Sequence, residues 1–331
     1  MILVTGGTGY IGSHTVVELL NEGHDVFIID NLSNSSETVI DKIEKICGKR
    51  PLFLKADIRD EEKLEQVFNA VDIEAVIHFA GLKAVGESVE KPLDYYDNNL
   101  GGTISLLKVM KRHNCNKIVF SSSATVYGSP EVVPITENSA LHTTNPYGTT
   151  KMYIEGMLND ICNANPSFCA TLLRYFNPVG AHESGLIGEN PNGIPNNLMP
   201  RIINVALGKD DKITVFGTDY PTKDGTGIRD YIHVVDLARG HIKALNCMDN
   251  LKIFNLGTGL GFSVLDLIDT FNKVNNLNVE KKYCPRRAGD IAECYADTKK
   301  SLDELGWKTE YDIEDMCKSA WNYAQKNLNE K

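Results

Sequence analysis

Residues 5–12 read Thr5-Gly6-Gly7-Thr8-Gly9-Tyr10-Ile11-Gly12, directly after the apolar run Ile2-Leu3-Val4. The pattern Gly7-x-Gly9-x-x-Gly12 therefore stands between a strand and a helix. A dinucleotide site needs glycine here for three reasons: a tight turn, close backbone approach to a pyrophosphate, and close helix packing. None of the three leaves room for a Cβ, and the helix N-terminus that follows attracts phosphate charge. Asp30 ends the second apolar run, 18 residues beyond Gly12. A carboxylate there accepts from the adenosine ribose and repels a 2′-phosphate, which selects NAD over NADP.

Working outward from the turn, β-rich runs alternate with helical patterns through the first half. The runs are Ile2–Thr5, Asp25–Asp30, Pro51–Asp57, Ala75–Ala80, Lys117–Ser122 and Phe168–Tyr175. Several are nearly continuous Val, Ile, Leu and Phe, as in parallel strands covered on both faces. Helices are predicted near 11–22, 37–47, 61–70, 93–113 and 146–164. Residues 177–197 lose periodicity and gather Pro, Gly and Asn, the mark of a functional loop or lobe boundary. Beyond them the pattern predicts helices near 198–208, 234–247, 264–275 and 311–327, and strands at 212–216, 252–256 and 279–283. The fold class is α/β: a Rossmann-type doubly wound parallel sheet over 1–176, with a smaller α/β substrate lobe over 177–331. The chain is free to cross between the two. Strand ends Asp57-Ile58 and Phe79-Ala80-Gly81 lie where ligands of such sheets bind, with Asp57 toward the adenine side.

The 331 residues are 42% apolar and 24% charged, an ordinary globular balance. A net charge of −10 excludes the broad positive field of a nonspecific nucleic-acid binder, so any phosphate must meet locally placed cations. No apolar run reaches the length of a membrane span, and Met1 leads straight into the first strand without a basic flank. The eight cysteines form no Cys-x-x-Cys pair and no metal-spaced group with histidine. These features predict a soluble cytoplasmic protein with reduced thiols and no metal.

Tyr147 and Lys151 stand four residues apart after Pro146, on one face of a helix. A free tyrosine is a poor base at neutral pH, but a nearby ammonium and a cationic nicotinamide ring both favour its phenolate. Tyr147 then serves as the base for a sugar or alcohol hydroxyl while hydride passes to NAD. Ser123, at the end of the Ser121-Ser122-Ser123 run, shares the same substrate oxygen.

Together these segments resemble the extended short-chain dehydrogenase/reductase family, and within it the branch that inverts UDP-hexoses at carbon 4. The resemblance spans essentially the whole chain. It rests on the glycine turn and on residues 78–88, 173–181, 193–200 and 224–233, which read HFAGLKAVGES, LRYFNPVGA, GIPNNLMP and DGTGIRDYIH. It implies that Gly6, Gly9, Tyr10, Ile11, Gly12, Asp30, Asn31, Asn34, Ser35, Asp57 and Ile58 line the NAD site. Phe79, Ala80, Gly81, Leu82, Lys83, Asn98, Ser121, Tyr147, Lys151 and Phe176 complete it. It further implies that Asn177, Asn197, Leu198, Phe216, Arg229, Arg287 and Asp290 hold the UDP, with Lys83, Ser123, Tyr147 and Cys294 toward the sugar. The two arginines offer fixed positive forks for a pyrophosphate. One departure is Ala288, where family members often carry Glu.

The implied reaction is epimerisation of UDP-galactose to UDP-glucose through a transient 4-keto sugar. The resemblance further implies that the position of Cys294 lines the sugar pocket and that a bulky Tyr there restricts it, so that this small residue leaves space for N-acetylated UDP-hexoses. A nucleotide-sugar 4,6-dehydratase is the rival within the fold, but Ser123 is followed by Ala124 and Thr125 and not by the acid/base carboxylates that elimination needs. A non-enzymatic NAD-binding regulatory protein is the rival from another class. The resemblance also implies a homodimer through the helices near 93–113 and 146–164, to which Met152, Ile154 and Leu158 are candidate contributors.

Overall fold

The computed structural model describes residues 1–328 except 192, 194, 248 and 288. Ile194 of the 193–200 motif and the departure at Ala288 lie outside the described residues. Six strands follow one another through the first half: β1 Ile2–Thr5, β2 Val26–Asp30, β3 Leu52–Lys55, β4 Ala75–His78, β5 Lys117–Ser121 and β6 Cys169–Tyr175. With Leu251–Leu256 they form one parallel sheet in the order Leu251–Leu256, β6, β5, β4, β1, β2, β3. The order reverses at β1 and β4, so the carboxyl ends of these neighbours open the crevice where such sheets bind ligands.

The central strands are apolar because both faces are covered. On one side Val4, Ile28 and Ile77 meet Val16 and Leu19 of the helix α1 (Tyr10–Asn21) and Leu237 of Val234–Asn246. On the other, Leu3, Val76 and Phe120 meet Leu64, Leu106, Met110, Ile154 and Leu158. Each such side chain contributes about 1.5–3 kcal/mol when fully buried. Ile154 and Leu158 therefore serve the core and do not form an interface, because their face of the helix is turned to the sheet.

The smaller lobe has its own core, with Ile213, Val215, Leu267, Phe271 and Met316 between short strands and the helices Leu198–Ala206, Val264–Asn275 and Ile313–Lys326. The chain does not stay there after residue 177: Leu251–Leu256 returns to pair with β6.

Two local expectations are corrected. The single helix near 93–113 is instead a series, Pro92–Tyr95, a π-helical turn Tyr96–Gly101 and Gly102–Arg112, and an unpredicted short helix Val85–Glu90 precedes it. Pro92 starts a helix because it has no N–H to lose there. The wide π turn, a geometry frequent at functional sites, turns Asn99 inward to accept from Leu82 N at 2.8 Å. The segment 177–197 contains the strand Asn177–Val179, paired in parallel with Tyr231–His233. Neither this strand nor Ile228–Arg229 and Glu293–Cys294 is long enough to show a sequence period.

Candidate active site

The glycine turn closes as its residue types require. Gly6 is left-handed at φ 72°, and a Cβ on Gly12 would lie 2.2 Å from the Gly6 carbonyl oxygen. Gly9 caps α1 without a side-chain hydrogen bond, so the first N–H groups of the helix face the cleft. Asp30, buried at the end of β2, accepts from Thr8 N at 3.1 Å, Leu32 N at 2.9 Å and Ser35 Oγ at 3.1 Å. These bonds hold its carboxylate at the mouth of the turn.

From this turn a long cleft runs across the carboxyl ends of the strands. Gly6, Gly9, Tyr10, Ile11, Gly12, Asp30, Asn31, Asn34 and Ser35 line one end; Ile58, Phe79, Ala80, Gly81, Leu82, Lys83 and Asn98 line the middle; Tyr147 and Lys151 line the other end. A chain of glycines, a buried carboxylate at the end of β2 and a helix N-terminus along one groove fit a dinucleotide. Three expected residues do not line the cleft. Asp57 is turned to the Arg59 guanidinium, whose hydrogen bonds hold its carboxyl down at about 2. Ser121 lies behind Lys151, and Phe176 packs with Val126, Tyr127, Ile135 and Ala296.

Tyr147 and Lys151 come from the helix Pro146–Ala164, whose cap Asn145 accepts from Gly148 N at 2.9 Å. Lys151 Nζ donates to the Ser121 carbonyl at 2.7 Å and lies 4.8 Å from the Phe120 ring centre. Burial pulls its ammonium down from the usual 10.5 to about 8. Burial also pushes the Tyr147 phenol well above its usual range, with the Tyr175 phenol adding to the effect and a hydrogen bond from Ser123 opposing it. Ser123 Oγ accepts from Thr125 N at 3.2 Å and Thr125 Oγ1 at 3.0 Å. With both of these bonds accepted, Ser123 keeps its own proton to donate. Tyr147 and Lys151 thus lie together at the end of the cleft, with Ser123 beside them.

The residues expected at the UDP form three groups. Arg287 donates to Asp290 at 2.9 Å and lies 4.8 Å from the centre of the Phe216 ring. Arg229 and Cys294 are parallel-register neighbours on short strands, and burial pushes the Cys294 thiol up to about 11. Next to them Asp230, fully buried, accepts from Thr258 N, Thr258 Oγ1, Gly259 N and Ala296 N at 2.7–3.1 Å. This carboxylate fixes the strand that presents Arg229. Asn197 caps the helix that starts at Leu198 by backbone geometry alone; its side chain donates to Glu189 at 2.6 Å. Asn177 N donates to the Asp230 carbonyl at 3.0 Å, tying it to the same strand.

Sequence reasoning missed Glu189, which joins Asn197 to Lys83 across the cleft at 3.5 Å. It also missed Tyr175, whose hydroxyl accepts from Ser121 Oγ at 2.9 Å. Glu189 sits in the segment without periodicity, which offers no signal for it. Tyr175 was legible only as the last residue of a strand. Among the described residues, no group of three His, Cys, Asp or Glu side chains forms a metal site.

A family model described as GDP-mannose 4,6 dehydratase matches residues 3–320. The chain is 56% identical over 331 residues to the UDP-glucose 4-epimerase of Bacillus subtilis, covering 99% of this chain and 98% of that protein. The crystal structure of UDP-glucose 4-epimerase from Bifidobacterium longum in complex with NAD+ and UDP superposes with a TM-score of 0.95, at 54% identity and 99% coverage of each chain. That of UDP-glucose-4-epimerase from Stenotrophomonas maltophila, with bound NAD and formylated UDP-arabinopyranose, gives 0.98 at 47% identity, covering 100% of this chain and 99% of the other. With this identity running the full length of a Rossmann sheet that carries the tyrosine–lysine–serine centre, the chain belongs to the UDP-glucose 4-epimerase family of the extended short-chain dehydrogenases/reductases.

Proposed function

We propose that this protein interconverts UDP-galactose and UDP-glucose by inverting the 4-hydroxyl through a transient 4-keto sugar, with NAD as its resident cofactor. The observation that carries this reading is the meeting of Tyr147, Lys151 and Ser123 at the end of a cleft that begins on the glycine turn. Gly6, Gly9 and Gly12 with Asp30 hold the adenosine diphosphate half. Bound NAD supplies a hydride acceptor that returns the hydride, and the positive charge of its oxidised ring. Tyr147 takes the proton of the sugar 4-hydroxyl and restores it on the return step. Ser123 donates to the same oxygen, and the Lys151 ammonium offsets the burial that favours the neutral phenol. Arg229, Arg287 and Asp290 grip the nucleotide, which leaves the hexose free to present either face.

The dehydratase alternative needs an acid and a base where this chain has Ala124 and Thr125. A regulatory NAD-binding protein has no use for a buried proton-transfer centre. Purified protein given UDP-galactose is expected to yield UDP-glucose. Tyr147→Phe is expected to lose about 10²–10⁴-fold in kcat while retaining NAD. Wild-type turnover in that variant would place the base elsewhere.

The sugar pocket also takes N-acetylated UDP-hexoses. Support comes from Cys294, a small neutral thiol packed against the cluster of Phe176 and Tyr127 beside Arg229. The working unit is a homodimer. Tyr153, Met157 and Ile161 line a shallow depression on the helix Pro146–Ala164, and Leu93, Val89 and Ile104 are exposed on the neighbouring helices. It works in the cytoplasm, which the eight free thiols support. Among the described residues, no helix is long and apolar enough to cross a membrane.

A further inference from the structure

Tyr147 and Lys151 are followed, after another four residues, by Glu155 on the same face of the same helix. All three are buried. The three consecutive serines at the end of β5 answer them one for one. Ser123 stands close enough to Tyr147 to draw its phenol down, the Ser121 carbonyl accepts from Lys151 at 2.7 Å, and Ser122 Oγ donates to Glu155 Oε1 at 2.5 Å. Arg174 of β6 holds the same carboxylate, with Nε at 3.0 and 3.2 Å and Nη2 at 2.6 Å. Its Nη1 donates onward to the Tyr127 hydroxyl and the Glu137 carbonyl, each at 3.1 Å.

A buried ion pair gains little stability over a packed apolar pair, because desolvation offsets the attraction. Stability alone therefore gives no reason for Glu155 and Arg174 beneath this helix. We propose that Glu155 is a positioning residue of the reaction: it locks the Tyr147 helix onto the serine run and stands one turn from Lys151 as the buried counter-charge of its ammonium. The inference rests on the epimerase reading above. Lys151 forms no ion pair among the described residues, and the charge of Glu155 opposes the downward pull of burial on its ammonium. Its other neighbours supply no negative charge. His78 of β4 and His241 of Val234–Asn246 are held neutral by burial, at about 3 and about 4. Burial raises the phenols of Tyr147 and Tyr175, so until Tyr147 gives up its proton neither adds a negative charge, and the remaining wall is the Phe120 ring. Arg174 is the counter-ion of Glu155 and Tyr127 the partner of Arg174.

The test replaces the ion pair by two amides, Glu155→Gln with Arg174→Gln, which keeps hydrogen-bonding groups in place without leaving one charge alone. Thermal melting and NAD content establish folding. The readouts are the pH profile of kcat and the Tyr147 phenolate titration, taken as near-ultraviolet difference absorbance with and without Tyr147→Phe. The alkaline limb of kcat, on which Lys151 loses its proton, is expected to move about one pH unit lower, with KM nearly unchanged. The Tyr147 titration is expected to move the other way, to higher pH, because the ammonium that favours its phenolate is lost earlier. Glu155→Asp keeps the charge and is expected to hold the limb at the wild-type pH while lowering kcat several-fold. A wild-type profile in the folded double variant overturns the inference. If that variant fails to fold, Glu155→Asp decides: a shifted limb, or wild-type kcat, overturns it. A wild type that does not turn over UDP-galactose sinks the epimerase reading, whereas a working wild type with an unmoved limb in the double variant sinks only this inference.

Discussion

Lys151 Nζ donates to the Ser121 carbonyl at 2.7 Å and stands 5.9 Å from the centre of the Tyr147 ring. The lysine is thus anchored by the strand that carries the serines while its charge faces the phenol. Its value of about 8 lies below the usual 10.5, so the ammonium is present below about pH 8 and is lost as pH rises through it. Lys151→Met removes that charge at every pH. The acid limb of kcat, on which Tyr147 loses its proton, is expected to shift to higher pH, with kcat at neutral pH about 10²-fold lower. An unmoved acid limb would reduce Lys151 to a cofactor-holding role.

Gly12→Ala tests the cradle. The new Cβ would meet the Gly6 carbonyl oxygen at 2.2 Å, and that oxygen belongs to backbone, which cannot swing aside as a flexible side chain would. The variant is expected to purify with little NAD and to melt lower than the wild type. Full cofactor content would show that the turn does not hold the pyrophosphate.

The fold and the chemical centre were legible for different reasons. Nearly continuous apolar runs such as Ile2–Thr5 and Val26–Asp30, too short for helices and each bounded by turn residues, read as covered strands, and the glycine turn fixes which ends carry the ligand. Tyr147 and Lys151 were legible because their spacing is local. Glu189 reaches Lys83 across 106 residues of chain, and no periodicity records such a meeting. The π turn at Tyr96–Gly101 stayed hidden because one extra residue in a turn leaves the apolar pattern helical on either side.

Asp236 carries a pH prediction for stability. Its Oδ2 accepts from Glu310 N at 3.1 Å and Tyr311 N at 3.0 Å, while Oδ1 has no partner among the described residues. Burial lifts the carboxyl from 3.8 to about 6. Between those values the folded state binds more protons than the unfolded state, so stability falls as pH rises, and the penalty is complete above about 6. Asp236→Asn is expected to raise Tm by about 2–4 °C at pH well above that value and to change it little in acid. Calorimetry at the two pH values checks this.

The sugar gate is tested by Cys294→Tyr on both substrate pairs. Wild type is expected to turn over UDP-N-acetylglucosamine as well as UDP-glucose. The variant is expected to keep the simple pair and to lose the acetylated pair by about 10²-fold or more, since the added ring excludes by overlap. Equal loss on both pairs, or none, would show that Cys294 does not set the limit.

The most direct measurement follows sugar and cofactor together: purified protein with excess UDP-galactose, product resolved by chromatography and bound cofactor by its near-ultraviolet absorbance. The expected result is UDP-glucose formed over many turnovers with no net accumulation of NADH and no added NAD. NADH released in proportion to sugar consumed, or a dehydrated keto-deoxy product, would contradict the account.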